Sequence, residues 1–141
     1  MKARVSSGQA VWRLVTAACI AIMGCACSND ATLTELHRLK SGTLDIVLLS
    51  SRGGLHHGKD SFIIEFRSAD GTLVDVGDVR GSATMSMPGM PMLGAVDVKR
   101  TNVDGRYSAD SQLEMAGTWR MTIEWRGSPG QGSVTFAGAV Q

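Results

Sequence analysis

"GTWRMTIEWR", Gly117 to Arg126, is the stretch whose period decides the fold. Trp119, Met121, Ile123 and Trp125 fall on one side of an extended chain, and Arg120, Thr122, Glu124 and Arg126 on the other. Successive side chains of a strand point to opposite faces, so this segment reads as a strand with one face in a core and one in water.

Further segments of the same kind lie on both sides of it. "TLDIVLLS" (Thr43 to Ser50) and "SFIIEFRS" (Ser61 to Ser68) are rich in β-branched and aromatic residues and are bounded by Gly or Ser clusters. Between them runs the glycine-rich loop "SRGGLHHGKD". "ADGTLVDV" carries Asp70-Gly71, a tight-turn signal. "GAVDVKRT", "GRYSADSQL" and "GSVTFAGAV" complete a count of about seven short strands, with no long helix and no internal repeat. The gaps are mostly too short for helical crossovers between parallel strands. The expected fold class is therefore all-β, an antiparallel β-sandwich.

The start of the chain has a different character. Lys2, Arg4 and Arg13 precede the apolar run "LVTAACIAIMG" (Leu14 to Gly24). A spanning helix needs roughly 20 apolar residues, so this run suits the core of a signal peptide. It ends in "AIMGC", which resembles a bacterial lipobox, and that resemblance implies lipid attachment at Cys25. The expected organisation is a lipoprotein signal peptide over 1–24, a lipidated tether over 25–40 and a β-sandwich over 41–141. In the tether region, "SNDATLTELHRLKSG" spaces Leu33, Leu36 and Leu39 by three, as in a short amphipathic helix or a plain linker.

That processing would leave Cys27 as the one free thiol, so no disulfide framework is expected and the domain must stand on its apolar core. From Cys25 the chain retains 117 of its 141 residues, enough for one domain. Loss of Lys2, Arg4 and Arg13 lowers the formal charge by three, from +1 to −2. A near-neutral surface without a basic stripe argues against nucleic acid as a partner. No nucleophile motif, H-E-x-x-H, phosphate-binding glycine loop or paired carboxylate points to an enzyme.

"MSMPGMPMLG" (Met85 to Gly94) is the stretch with candidate chemistry: it holds four of the eight methionines and two of the three prolines. Pro88 and Pro91 exclude a central strand and suggest an edge, a bulge or a crossing loop. Two readings stand side by side. Met85, Met87, Met90 and Met92 fill irregular core space, or their neutral, polarizable sulfurs face a soft ion such as Cu(I) or Ag(I). His56 and His57 are weaker candidate ligands that would extend the range to Cu(II), with solvated loop histidines as the plain alternative. Met115 and Met121 read as core.

The Met87-Pro88-Gly89-Met90 cluster, Gly105-Arg106-Tyr107 and Met115-Ala116-Gly117-Thr118-Trp119 together resemble the YtkA-like domain, close to the FixH-like group. "GKDSFIIEFRSADGTLVDVGDV" is similar to the opening strands of that family, so the resemblance covers about Ser41 to Val140. It implies an immunoglobulin-like sandwich outside the cytoplasm, in small lipoproteins or as modules of CusB-type heavy-metal efflux adaptors, with copper as the associated metal. The resulting expectation is a non-enzymatic domain in the bacterial cell envelope. It would be lipid-anchored, face the periplasm and bind or pass Cu(I) through its methionines. The alternative is an interaction module for an envelope or efflux partner that uses no metal.

Overall fold

The structure, a computed structural model, describes residues 32–141. The signal peptide and Cys25 lie outside the described residues. Eight strands follow in order: β1 (Thr34–Ser41), β2 (Leu44–Ser50), β3 (Gly58–Ser68), β4 (Asp78–Met85), β5 (Met92–Arg100), β6 (Arg106–Leu113), β7 (Gly117–Gly127) and β8 (Gly130–Val140). They pair antiparallel in the order β1-β2-β3-β6-β5-β4-β7-β8.

This ribbon folds into two layers because β5 changes partner along its length. Met92 to Gly94 pair with β4, whereas Ala95 to Arg100 pair with β6. Gly94 sits at the changeover. A Cβ there would run into Leu113 Cδ2, stand 3.0 Å from Trp119 Cζ3 and 3.3 Å from Ala83 Cβ, so only glycine lets the strand pass this close. Phe66 on β3 meets Trp125 on β7 edge to face at 5.3 Å, which joins the layers through the core. At the opposite side His37 of β1 stacks on Phe136 of β8 at 5.3 Å. The result is an immunoglobulin-like antiparallel β-sandwich. Trp119, Met121, Ile123 and Trp125 all point into its core, as their period requires.

Two strands differ from the sequence reading. The segment expected as a tether or short helix is β1, in register with β2 from Thr34↔Ser50 to Ser41↔Leu44. The sandwich thus begins at Thr34 and not at 41. Its leucines do not share a helix face: a bulge between Glu35 and His37 resets the alternation, and Leu36 and Leu39 both pack on the core. The second is β4, whose "DVRGSATM" carries few apolar residues, because Gly81 must lie against Val96 and Val98. Conversely, "ADGTLVDV" turns at Asp70-Gly71 as expected but forms no strand, touching β3 at the single bridge Arg67↔Leu73.

β2 explains why "IVLL" reads as an unbroken apolar run. Ile46 and Leu48 enter the core, while Val47 and Leu49 point outward and are still buried. Their outer face is roofed by charge: Arg38 is the cross-strand neighbour of Val47 on one side, and Glu65 on the other. Glu65 is buried and accepts from Arg67 Nε at 2.8 Å and Arg106 Nε at 2.7 Å. Long arginine stems cover apolar surface while their heads stay wet.

At the far end of β6, Tyr107 is buried with its hydroxyl 2.9 Å from both Asp75 Oδ1 and the Gly77 carbonyl. Burial first, then donation to the Asp75 carboxylate, raises its pKa from 10.0 to about 12. Asp75 is shifted down, chiefly by the Gly77 N–H and next by the Tyr107 hydroxyl.

The neutral phenol is therefore favoured by the folded state. Its stabilisation is complete below the unfolded value and is lost as pH rises from about 10 to about 12. Urea melts across that window should show the midpoint falling in the parent protein. In Tyr107→Phe it should stay level, at a neutral-pH stability lower by about 1 kcal/mol. Gly94→Ala should lower stability by about 1–3 kcal/mol through overpacking against Leu113 and Trp119, read in the same melts.

Candidate functional site

The four methionines of "MSMPGMPMLG" lie on the β4–β5 hairpin. Met85 ends β4, Met92 begins β5, and the two are directly opposed in the ladder. Opposed residues of an antiparallel pair point to the same face, and both side chains pack half-buried on the core. Residues 86–91 form the loop between them. Pro88 and Pro91 both fall inside this loop, where no ladder donor is needed, which reconciles two prolines with a β4 that is paired on both sides. Gly89 turns the tip at a φ of 88°.

Met87 is 41% and Met90 72% exposed, and the neighbouring Leu93 is 76% exposed. The hairpin thus has two sulfurs at its root and two at its tip. From Met85 to Val96 no residue carries a charge.

The floor beneath the root is built by "MAGTW". Trp119 is 1% exposed, and its buried indole Nε1 donates to the Met115 carbonyl at 3.0 Å. A buried indole N–H needs such a partner, so this bond fixes the turn between β6 and β7. Gly117, at a φ of 142°, lies against Met85. A Cβ there would run into Met85 Cε and sit 3.5 Å from its sulfur. Of the two methionines expected in the core, Met121 is there at 1% exposure. Met115 is 38% exposed, because it stands in the turn beyond β6, where its carbonyl is held by Trp119.

The histidines sit at the same end of the sandwich, since Gly58 pairs with Leu113 and Gly117 with Val140. Both are engaged in holding the β2–β3 loop. The His57 backbone N–H and ring Nδ1 each lie 2.8 Å from the Gln141 carbonyl. The His56 N–H donates to Asp60 Oδ2 at 2.8 Å, while its ring Nδ1 stands 3.4 Å from the same oxygen without hydrogen-bond alignment. Among the described residues no group of three or more His, Cys, Asp or Glu could hold a metal ion. Three surface depressions of about 420, 520 and 620 Å³ carry Arg, Lys, Asp and Glu of both signs, and no methionine lines them.

No curated protein matches the chain. Among solved structures, the Lin-41 filamin domain is similar at a TM-score of 0.44 and 17% identity, covering 62% of this chain and 81% of that one. A copper-bound variant of FetP from uropathogenic Escherichia coli has a TM-score of 0.44 and 9% identity, with 74% of this chain and 93% of that one covered. FetP as isolated gives 0.43 and 12%, covering 76% and 95%. The YtkA-like family profile matches residues 38–124, from β1 into β7. This span takes in the methionine hairpin, Tyr107 and the Met115-to-Trp119 turn, and the chain belongs to the YtkA-like family.

Proposed function

We propose that this protein is a lipid-anchored, periplasm-facing domain that binds or passes a soft monovalent metal, Cu(I) or Ag(I), through its methionine hairpin. The carrying observation is the hairpin itself. Two thioethers are opposed at its root and two are left in water at its tip, on a segment without charge. Core filling accounts for Met85 and Met92 but not for Met87 and Met90, which are 41% and 72% exposed. Thioethers bind soft ions without losing a proton and hold them weakly enough for exchange between partners, which suits a carrier. No group in this set does acid–base chemistry, so binding rather than catalysis is the proposed role.

The anchor reading adds an orientation. β1 begins at Thr34, opposite Ser50, at the same end as the methionine hairpin. The residues from Cys25 to Thr34 span at most about 30 Å when extended. A lipid on Cys25 would therefore keep the methionine end near the membrane and its embedded partners.

One observation favours a second reading, an apolar contact surface for an envelope or efflux partner. Met87, Met90, Leu93 and Met115 are exposed at a single end of the sandwich.

Replacing Met85, Met87, Met90 and Met92 together by Leu separates the two, because Leu keeps the apolar volume and removes the sulfur. Anaerobic Cu(I) titration against a competing chelator should show one equivalent bound by the parent protein and none by the variant, with both melting alike. Equal binding by both would overturn the metal reading, and a variant that fails to fold would make the methionines structural. The parent affinity should stay level between pH about 5.5 and about 8, since thioethers do not titrate. A decline on acidification would instead place a histidine, His56 or His57, in the site. Cys25→Ser should release the protein from membranes; retention there would refute the anchor.

A further inference from the structure

We infer that the metal is held not by the four hairpin methionines as a set but by an inner triad of Met85, Met92 and Met115, with Met87 and Met90 as an outer pair at the entrance. This assignment rests on the soft-metal reading above and specifies its ligands.

Three independent features converge on these residues. Met85 and Met92 are opposed and point to the same face. The β5–β6 register, Val96↔Ser111 and Ala95↔Gln112, continued past Ala95 brings Met92 level with Met115. Contact of Gly94 with the Leu113 side chain shows that the two strands are still side by side at that point. From the other layer, Gly117 stands two residues beyond Met115 and touches the Met85 methyl and sulfur. Met115 is therefore approached from both sides, by Met92 through β5 and by Met85 through Gly117.

The position is braced and kept open. Trp119 holds the Met115 carbonyl with its indole N–H while its ring lies under Gly94. One buried side chain thus sets the hairpin root and the turn at a fixed separation. Gly117 is the position where a side chain would occupy the space beside Met85, and Gly94, two residues after Met92, is where one would collide with Leu113 and Trp119. Met115 also leaves a large apolar side chain partly in water, in a turn where a polar residue would be easier to hydrate. Three neutral sulfurs satisfy a monovalent soft ion without adding charge at the rim of the core. The exposed tip pair would then receive the ion and hand it inward.

The test uses the full chain, purified in detergent and titrated anaerobically with Cu(I) against a chelator, with X-ray absorption on each complex. The parent should bind one ion with three sulfur neighbours. Met115→Leu should bind more weakly by at least on the order of tenfold, the loss that lesser, outer-shell changes already cause at metal sites. Its sulfur count should drop by one. Because Leu keeps the apolar volume of Met115, its thermal melt should stay close to that of the parent. Met87→Leu and Met90→Leu should slow loading of the ion while the bound complex still shows three sulfur neighbours. Met115→His should restore tight binding above about pH 6.5 and lose it below, as imidazole protonates. Met115→Leu binding as tightly as the parent with three sulfurs, or a pH-independent Met115→His, would overturn the triad while leaving the metal reading intact. A parent that binds no Cu(I) would overturn both.

Discussion

The indole of Trp119 is the constraint on which the rest of this molecule depends. It is buried to 1% exposure in a small sandwich, and it carries a donor that a dry core cannot leave unpaired. Its ring demands a glycine opposite, and Gly94 is where β5 leaves one layer for the other. Its N–H demands an acceptor, and the Met115 carbonyl supplies it from the turn that joins β6 to β7. One side chain thereby fixes both the fold-over of the sheet and the relative position of the two methionine-bearing segments. The family pattern Met-x-Gly-x-Trp has a physical reason in these three contacts: an anchored carbonyl, a Cα that touches Met85, and a braced indole.

Several of the charged groups are engaged with one another away from the hairpin. Glu65 is neutralised by Arg67 and Arg106 on the outer face of β3 and β6, and Arg38 links Glu35 and Asp45 on β1 and β2. Asp75 receives Gly77, Tyr107 and Arg100 at the opposite end of β6. These pairs hold layers and loops together, and none reaches the hairpin. His56 and His57 follow the same logic, since their backbone and ring groups hold the β2–β3 loop against Asp60 and Gln141. The hairpin from Met85 to Val96 itself is uncharged and polarizable, and Asp60 at the same end is taken up by Arg52 and the His56 N–H.

Much of the fold was legible because β-sheets write their period into the chain. The alternation from Trp119 to Trp125 named a strand, its inward face and four core residues, all found buried. β2, β3, β5, β6 and β8 were equally readable from apolar content and bounding glycines. β1 was not, because its bulge at Glu35 to His37 breaks the alternation and leaves leucines at a helix-like spacing of three. β4 was not, because it carries Gly81 and Ala83 where larger apolar residues would signal a strand, and both are small for packing reasons that involve β5 and β7.

The candidate site divides along the same line. Composition alone marked Met85, Met87, Met90 and Met92, and proline chemistry placed Met87 and Met90 correctly outside a central strand, whereas Met85 and Met92 turned out to be the end residues of β4 and β5. The sequence by itself determined the residue types, the local turn and the absence of charge, because these depend only on neighbours along the chain. Only the tertiary structure decided that Met85 and Met92 oppose each other half-buried at the hairpin root, and that Met87, Met90 and Met115 are exposed at the same end. The reason is register: which residues meet across a sandwich is set by pairings among β4, β5, β6 and β7 and by the space under Gly94 and Gly117, and no local pattern encodes those distances.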